Sequence, residues 1–336
     1  MNATRRQFVK TLFVAGQATL VGRMLSANAL AAEPVDGAAL NFLAFGDWGV
    51  NGDTGQAQVA AQMAQNAADV KAAFMMAVGD NFYQVGVKDV HDPQWQTSFE
   101  NVYAAPSLQI PCYAILGNHD YCGNCDAQIE YGKSHSRWIM PARYYTQVHR
   151  IDDKNAVEFF YIDTSPFVDE YKVVPQLPPN PTDQDKKEFE VRTNLRNHVL
   201  SQDEDRQLAW LKEALSKSGA QWKIVVGHHP IYSGGSHGDR PELIKTVLPL
   251  LHQYGVHVYI AGHDHDLQHL QSEGIDFLCS GAGGAKLYPL VHTDQMKFSQ
   301  EVFGFMSMSL SATMLKTSLI DNQGKVIYQT TTHRPA

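Results

Sequence analysis

Five apolar, strand-like runs in this 336-residue chain end in the same way, with a glycine followed by polar side chains that can bind a metal ion. In open α/β sheets, ligands bind in the crevice at the carboxyl ends of the strands, and glycine lets the backbone turn sharply there. The pattern therefore predicts one polar site assembled from several strand ends. The segments are Gly46-Asp47-Trp48-Gly49, Gly79-Asp80-Asn81-Phe82-Tyr83, Gly117-Asn118-His119-Asp120, Gly227-His228-His229-Pro230 and Gly262-His263-Asp264-His265.

Each of these segments, taken alone, has a structural explanation. A Gly-Asp pair after a strand is usually a turn with a helix-capping acid, Asn-His-Asp could cap a helix, and an isolated His-x-His can lie in an exposed loop. Together, however, they supply enough oxygen and nitrogen ligands for two cations that share one bridging carboxylate. The candidate ligands are Asp47, Asp80, Tyr83, Asn118, His228, His263 and His265.

The rest of the pattern predicts an α/β (α+β) fold, a four-layer αββα sandwich of two mixed β-sheets flanked by helices, in a single domain over residues 38–336. Helical stretches such as Thr54 to Val70 and Glu242 to Tyr254 alternate with the strands, and Ser201-Gln202-Asp203-Glu204 resembles a capping box that opens another helix. Residues 303–332 are typical of antiparallel strands around a turn. The other predicted strands are Leu40 to Phe45, Phe74 to Val78, Cys112 to Leu116, Phe159 to Asp163, Lys223 to Val226 and Val256 to Ile260.

Composition excludes several classes of protein. Hydrophobic residues make up 44% of the chain and charged residues 18%, so there is ample apolar surface for a core. The formal net charge is −8, and the body of the chain has no Lys/Arg cluster that could follow a nucleic-acid backbone. We therefore expect no nucleic-acid partner, and an anionic substrate must be attracted by a local feature.

Residues 1–31 predict an export signal rather than part of the fold. The twin-arginine motif Arg5-Arg6-Gln7-Phe8-Val9-Lys10 precedes a weakly apolar stretch and small residues that suit a signal peptidase. A basic amphipathic or membrane-anchoring helix is the alternative, but Gln17 and Arg23 interrupt the apolar run well short of the roughly 20 residues that a span needs. We expect no stable membrane anchor, and export of the folded protein by the bacterial twin-arginine machinery to the periplasm or medium.

The four cysteines do not form a metal-binding pattern. Cys122 and Cys125 flank a Gly-Asn turn and could form a loop disulfide in an oxidising compartment. A zinc site would need a second such pair, and a thioredoxin-like role is less favoured because no helix obviously follows the motif. Cys112 and Cys279 lie in apolar runs, which predicts buried packing residues.

A proline-rich segment over residues 173–185 is predicted to be exposed. It reads VVPQLPPNPTDQD and is typical of a solvated surface excursion. A loop that gates access to a substrate is the alternative.

In their order along the chain, the five strand-end segments resemble the signature of the purple acid phosphatases, which are calcineurin-like metallophosphoesterases. That signature reads Asp-x-Gly, Gly-Asp-x-x-Tyr, Gly-Asn-His-Asp, Val-x-x-His and Gly-His-x-His. The chain is most similar to the small, tartrate-resistant type, and the similarity extends through SFENVYAAPSL, AQIEYGKSHSRW and GHDHDLQHLQ. The resemblance covers nearly all of the mature chain and implies the metallophosphoesterase fold.

The resemblance also implies a ligand set for a dinuclear centre. Many members of the wider superfamily carry Asp-x-His where this chain has Asp47-Trp48-Gly49, and together with the gain of Tyr83 this difference points to the iron-tyrosinate subgroup. A packing role is the alternative for Tyr83. The divalent metal would be Fe(II), Zn or Mn. The Fe(III) ligands would be Asp47, Tyr83, His265 and the bridging Asp80, and the divalent metal would be bound by Asp80, Asn118, His228 and His263.

The implied activity is the hydrolysis of small phosphate monoesters. Two neighbouring cations can hold the ester and lower the pKa of a bound water enough to make hydroxide, the nucleophile, and trivalent iron favours activity at acidic pH. His119 and His237 match the family's histidines that bind phosphate and assist departure of the leaving group, although His237 alone would be an ordinary loop residue. Asp120 is expected to orient His119, and His229 is expected to point away from the metals.

The sequence alone is also compatible with two other functions. One is a phosphodiesterase or nucleotide hydrolase of the same superfamily, and the other is an exported iron protein whose redox cycling matters. The presence of both His119 and His237 argues against the second alternative. The sequence indicates neither the natural substrate, nor the identity of the divalent metal, nor the oligomeric state.

Overall fold

Strands and helices alternate along residues 39–334, the part of the chain that the computed structural model describes. The strands are β1 Leu40–Phe45, β2 Phe74–Ala77, β3 Cys112–Ala114, β4 Trp138–Ile139, β5 Tyr145–Arg150, β6 Ala156–Tyr161, β7 Trp222–Val226, β8 Val258–Ala261, β9 Leu267–Ser272, β10 Ile275–Ser280, β11 Met296–Gln300, β12 Gly304–Leu310, β13 Met314–Asp321 and β14 Val326–His333. The α-helices are α1 Thr54–Val70, α2 Asn118–Tyr121, α3 Cys125–Ser134, α4 Asp169–Lys172, α5 Asp183–Leu200, α6 Glu204–Lys217, α7 Pro241–Thr246 and α8 Leu248–Gln253. Short 3₁₀ turns cover Pro106–Leu108 and Ser165–Phe167, and a π-helical turn covers Trp95–Glu100. The described residues belong to one compact unit.

The strands form two mixed sheets of seven strands each. The first sheet has the order β14-β13-β12-β1-β2-β3-β4, and the second has the order β11-β9-β10-β8-β7-β6-β5. Strands β1 to β4 run parallel in the first sheet, as do β6, β7, β8 and β10 in the second. The carboxyl ends of the parallel strands therefore lie along one edge of each sheet.

The two sheets pack face to face, and helices cover their outer faces. Strand β1 shows the division, because Phe42 and Ala44 belong to the apolar cluster between the sheets, whereas Leu43 and Phe45 face the outer cluster with α1. On the far side, α6, α7 and α8 pack on the second sheet through apolar residues such as Leu211. The predicted four-layer αββα arrangement is therefore confirmed, and its alternation follows from the two-residue period of strands.

Most predicted elements exist close to their expected bounds, but two helix predictions are wrong in detail. The single helix expected over residues 242–254 is two helices that meet at Val247, since Pro249 in the first turn of α8 has no N–H to continue the helix. Helix α6 is capped by Asp203, which accepts from the Arg206 N–H at 2.9 Å, and not by Ser201. Ser201 closes the preceding helix instead, because α5 runs to Leu200.

The proline-rich segment is exposed, as predicted. Val173 and Val174 are more than half exposed, and regular structure resumes only at α5, which Thr182 caps. The predicted export signal over residues 1–31 lies outside the described residues. Within residues 39–334, no helix is both long and apolar enough to cross a membrane.

The predicted loop disulfide is not formed in the structure. Cys122 and Cys125 are separate thiols, each of which donates to a backbone carbonyl, at 3.4 Å to Asn118 and 3.5 Å to Asp120. A helix does follow the motif, because Asn124 caps α3. Burial raises the pKa of both thiols, to about 12 for Cys122, so neither resembles a reactive thiolate.

Candidate metal centre

The five strand ends converge on one buried site between the two sheets. Asp47, Asp80 and His263 follow β1, β2 and β8, and each has a positive φ, of 58°, 48° and 70° respectively. Such angles are uncommon for residues other than glycine and typically cost 1–3 kcal/mol each unless the surrounding structure enforces them. Here the turn after each strand directs the side chain into the buried site at the strand ends, and Asp47 and Asp80 are themselves buried.

The glycines in the motifs make room for ligands from neighbouring strands. A Cβ on Gly79 would lie 2.4 Å from Nδ1 of His228, and a Cβ on Gly117 would lie 2.2 Å from Oδ1 of Asp80. Gly79 also has a φ of +95°, which favours glycine. The repeated glycine before each ligand is therefore required by close packing at the site as well as by the turn.

The hydroxyl of Tyr83 lies in the middle of the first group of ligands. It is 3.0 Å from Oδ1 of Asp47, 3.0 Å from Oδ2 of Asp80 and 3.0 Å from Nε2 of His265. Ligand atoms held about 2.1 Å from one ion and at right angles to each other are about 3 Å apart. The donor set therefore has the spacing that a single small cation requires.

The first group has more acceptors than hydrogens. The Tyr83 hydroxyl has one proton, yet two carboxylate oxygens and a ring nitrogen face it, and all four side chains are buried. Burial and the charges of Asp47 and Asp80 hold the pKa of this phenol well above its usual range. A cation at this position would relieve the repulsion between the acceptors, which is why the residues fit a metal ion.

A second group lies beside the first and shares Asp80 with it. Nε2 of His228 is 3.2 Å from Oδ1 of Asn118 and 3.5 Å from Oδ1 of Asp80. Because the other oxygen of Asp80 faces Tyr83, the two oxygens of this carboxylate face two different positions. This arrangement suits a carboxylate that bridges two cations.

Backbone carbonyls orient two of the three candidate histidine ligands. Nδ1 of His228 donates to the carbonyl of Val78 at 2.9 Å, and Nδ1 of His265 donates to the carbonyl of Lys286 at 2.6 Å. In both rings the lone pair is thereby placed on Nε2, which faces the site. His263 differs, because its Nε2 contacts the guanidinium of Arg240 at 2.8 Å.

His229 is expected from the sequence to point away from the metals, but it lies in one group with His228 and His263, whose possible ligand atoms are all within 4.8 Å of one another. Its Nδ1 is 2.8 Å from the Thr164 hydroxyl and its Nε2 is 2.9 Å from the Tyr171 hydroxyl, so both ring nitrogens have partners. Burial and the neighbouring His228 hold its pKa well below the usual value. Its ring packs 4.4 Å from that of His263, a contact that helps to fix the ligand.

The two predicted catalytic histidines flank the site on different sides. His119 packs against the ring of Tyr83 at 4.4 Å, and its Nδ1 lies 2.7 Å from the carbonyl of Gln84. His237 packs 4.2 Å from the ring of His263. Both rings are partly exposed and border the predicted ligands, so each can reach a molecule bound there.

The predicted role of Asp120 is wrong. Its carboxylate accepts from the backbone N–H groups of Gly117 and Asn81 and from the side chain of Gln128, and it does not contact the ring of His119. Asp120 is the third residue of α2 and reaches back to the N-terminal cap, as in a capping box. It therefore shapes the loop that carries Asn118 instead of orienting the neighbouring histidine.

Three neighbours of the site are not predicted by the sequence motifs. Asp264 accepts a hydrogen bond from Nδ1 of His237 at 2.8 Å, so Asp264 does not occupy Nε2, the other nitrogen of that ring. Tyr288 stacks on His265 at 4.2 Å, and Arg240 contacts His263. Only Asp264 had a local signal, its place between two predicted ligands; the other two depend on how loops fold back over the site.

Comparison with known proteins places this site in a family. The family model described as calcineurin-like phosphoesterase matches residues 40–267. Purple acid phosphatase 3 of Arabidopsis thaliana is 38% identical over 298 residues, which cover 86% of this chain and 76% of that protein. Tartrate-resistant acid phosphatase type 5 of Homo sapiens is 34% identical over 323 residues, which cover 90% and 94% of the two chains.

Solved structures show the same architecture. A Plasmodium structure described as GAP50, the anchor in the inner membrane complex, matches with a TM-score of 0.75 and 26% identity, over 89% of this chain and 90% of that one. Purple acid phosphatase PPD1 from yellow lupin (Lupinus luteus) matches with a TM-score of 0.63 and 16% identity, over 90% and 55% of the two chains, and this shows the fold alone. The extent and identity of the sequence matches show that the chain belongs to the calcineurin-like phosphoesterases and, within them, to the purple acid phosphatases.

Proposed function

We propose that this protein is an exported acid phosphatase that hydrolyses phosphate monoesters at a dinuclear centre of Fe(III) and a divalent metal. The observation that carries the proposal is the position of the Tyr83 hydroxyl, 3.0 Å from Asp47, Asp80 and His265. A phenolate and carboxylates are hard ligands that suit a trivalent ion, whereas two imidazoles and an amide suit Fe(II), Zn or Mn. The family membership supports the same assignment.

The two cations would supply the Lewis acidity that activates water and neutralises the charge of the phosphate. The chain's own residues complete the site. His237 is held by Asp264 through Nδ1, so Nε2 can carry the proton that the leaving alkoxide requires. His119, on the flank next to Tyr83, is placed to donate to a phosphate oxygen.

A monoester is favoured over a diester because both histidines border the site. A monoester presents three non-bridging oxygens to the cations and hydrogen-bond donors, while a diester presents only two. His119 and His237 together supply the donors that the additional oxygen and the leaving group need.

The test of the proposal is the rate of hydrolysis of para-nitrophenyl phosphate and its bis ester by the metal-loaded protein. We expect faster turnover of the monoester and a loss of about 10²-fold or more when His119 and His237 are both replaced by alanine. His333→Ala is the matched control, since this exposed histidine ends β14, the edge strand of the first sheet. Unchanged hydrolysis by the double variant would show that the assignment of the histidines is wrong.

We also propose that residues 1–31 direct export through the twin-arginine machinery. The support is the Arg5-Arg6 pair in its motif, and the route suits a protein that acquires metal before transport. Cell fractionation of a bacterial host that expresses the full chain tests this. We expect activity in the periplasm or medium, and its retention in the cytoplasm when both arginines are replaced by lysine.

A further inference from the structure

Arg240 makes the contact that distinguishes His263 from the other candidate histidine ligands. Its Nη2 lies 2.8 Å from Nε2 of His263, and the two residues are 9% and 5% exposed. A second N–H group, on Nη1, donates to Oε1 of Glu170 at 3.1 Å. The Nε of Arg240 is buried and has no hydrogen-bond partner among the described residues. The guanidinium is thus held beside the divalent position with only part of its donors satisfied.

The direction of this hydrogen bond determines which nitrogen of His263 can bind a cation. A guanidinium carries five N–H donors and no acceptor, so Nε2 must accept in this contact. Nδ1 is therefore the nitrogen left for a cation. When Nδ1 of a neutral imidazole binds a cation, however, its proton lies on Nε2, and two N–H donors would then face each other at 2.8 Å.

The other two histidines lack this conflict. His228 and His265 each donate from Nδ1 to a backbone carbonyl and present Nε2 to the site, so binding of a cation leaves their hydrogen bonds unchanged. At His263 alone, the contact seen in the structure and the binding of a cation exclude each other. One of the two partners must move, and the backbone of His263 is fixed because its N–H donates to Asp47 at 2.9 Å.

Arg240 has an alternative partner within reach. Its backbone is anchored, because its N–H donates to the carbonyl of Ile231 at 3.1 Å and α7 begins at the next residue. Its side chain is already in contact with Glu170, whose side chain is 45% exposed and whose carboxylate accepts from Arg240 through one oxygen. A carboxylate can accept two parallel hydrogen bonds from a guanidinium. Glu170 can therefore also accept from Nη2 of Arg240 once that group no longer contacts His263.

We propose that Arg240 gates the divalent metal position: it donates to Nε2 of His263 in the arrangement that the structure describes and transfers to Glu170 when a divalent cation binds. The inference rests on the dinuclear site of the proposed function. Arg240 is then a positioning residue that lowers the affinity for the divalent cation, because each binding event must break the contact with His263. Glu170 offsets part of this cost.

The test is the affinity of the full-length, iron-containing protein for Zn²⁺, measured by competition with a chromogenic chelator. In Arg240→Gln, a shorter polar side chain leaves room for a water that accepts from Nε2, so we expect about tenfold tighter binding. Arg240→Lys keeps a cation that can only donate and should bind Zn²⁺ as the wild type does. Melting temperature and iron content establish that each variant is folded.

A simple charge effect must be separated from the gate, because Arg240→Gln also removes a positive charge near the site. The double variant Arg240→Gln/Glu170→Gln leaves the net charge unchanged, and the proposal predicts that the tenfold gain persists in it. Loss of the gain in the double variant, or a Gln variant no tighter than the Lys variant, would overturn the proposal. Failure of the proposed function is seen separately, as absence of hydrolysis by the fully loaded wild type.

Discussion

Removal of the metals should make the stability of the protein fall as the pH rises from 6.5 to 9. The cause is His228: burial would lower its pKa, but the Asp80 carboxylate 3.5 Å away, the charge of Asp47 and the hydrogen bond to the Val78 carbonyl together outweigh burial, and the pKa rises from 6.5 to about 9. The protonated ring therefore stabilises the metal-free protein fully below pH 6.5, and this stabilisation is lost as the pH rises through about 9. A bound cation replaces the proton, so the loaded protein should not show this loss.

The size of the effect follows from the same pKa values. A rise from 6.5 to about 9, at about 1.4 kcal/mol for each pH unit, corresponds to about 3 kcal/mol of unfolding free energy. For a folded region of about 300 residues, this is a decrease of about 5 °C in melting temperature.

The assay is scanning calorimetry of chelator-treated and metal-loaded protein at several pH values between 6.5 and 9. His228→Asn is the control, because other buried groups titrate in this range and only the difference between wild type and variant reports on His228. We expect the metal-free wild type to lose about 5 °C more than the variant. Equal losses, or a melting temperature that rises with pH, would refute the reasoning.

Two further variants test how the site is positioned. Asp264→Asn should lower kcat for alkyl phosphates by about 10²-fold, because the carboxylate that accepts from Nδ1 of His237 is replaced by an amide. The double variant His237→Ala/Asp264→Asn should show no loss of kcat beyond that of His237→Ala. Additive losses of kcat would contradict this. Gly79→Ala should abolish divalent metal binding in elemental analysis, because the new Cβ would lie 2.4 Å from Nδ1 of His228. Gly274→Ala is the control, because Gly274 also has a positive φ, of +82°, but a Cβ there would meet nothing within 4 Å. It should lose only about 1–2 kcal/mol of unfolding free energy and keep its metal. Full metal content in Gly79→Ala would contradict the packing argument.

The convergence of the strand ends could be predicted from sequence because its signals are local. An apolar run, a glycine and a polar residue follow one another within a few positions, and parallel strands bring their carboxyl ends to one edge. The structure places Asp47, Asp80 and Tyr83 together as that pattern indicates. The first helix, α1, is predicted equally well, since the helical stretch Thr54 to Val70 has the same bounds in the structure.

The remaining features depend on contacts between distant segments. Arg240 reaches His263 only because the loop after β7 folds back, and Tyr288 reaches His265 from the loop after β10. Sequence proximity was also misleading, since Asp120 adjoins His119 but binds backbone N–H groups instead. Side-chain partners across loops are set by tertiary packing, which the spacing of residues along the chain does not encode.

In the proposed function, Tyr83 and its neighbours hold Fe(III) beside a divalent ion. Metal analysis together with a visible spectrum of the purified protein tests it most directly. We predict one iron and one divalent ion per chain, and a phenolate-to-iron charge-transfer band that disappears in Tyr83→Phe. A colourless wild type that is fully active with manganese or zinc alone would contradict the claim.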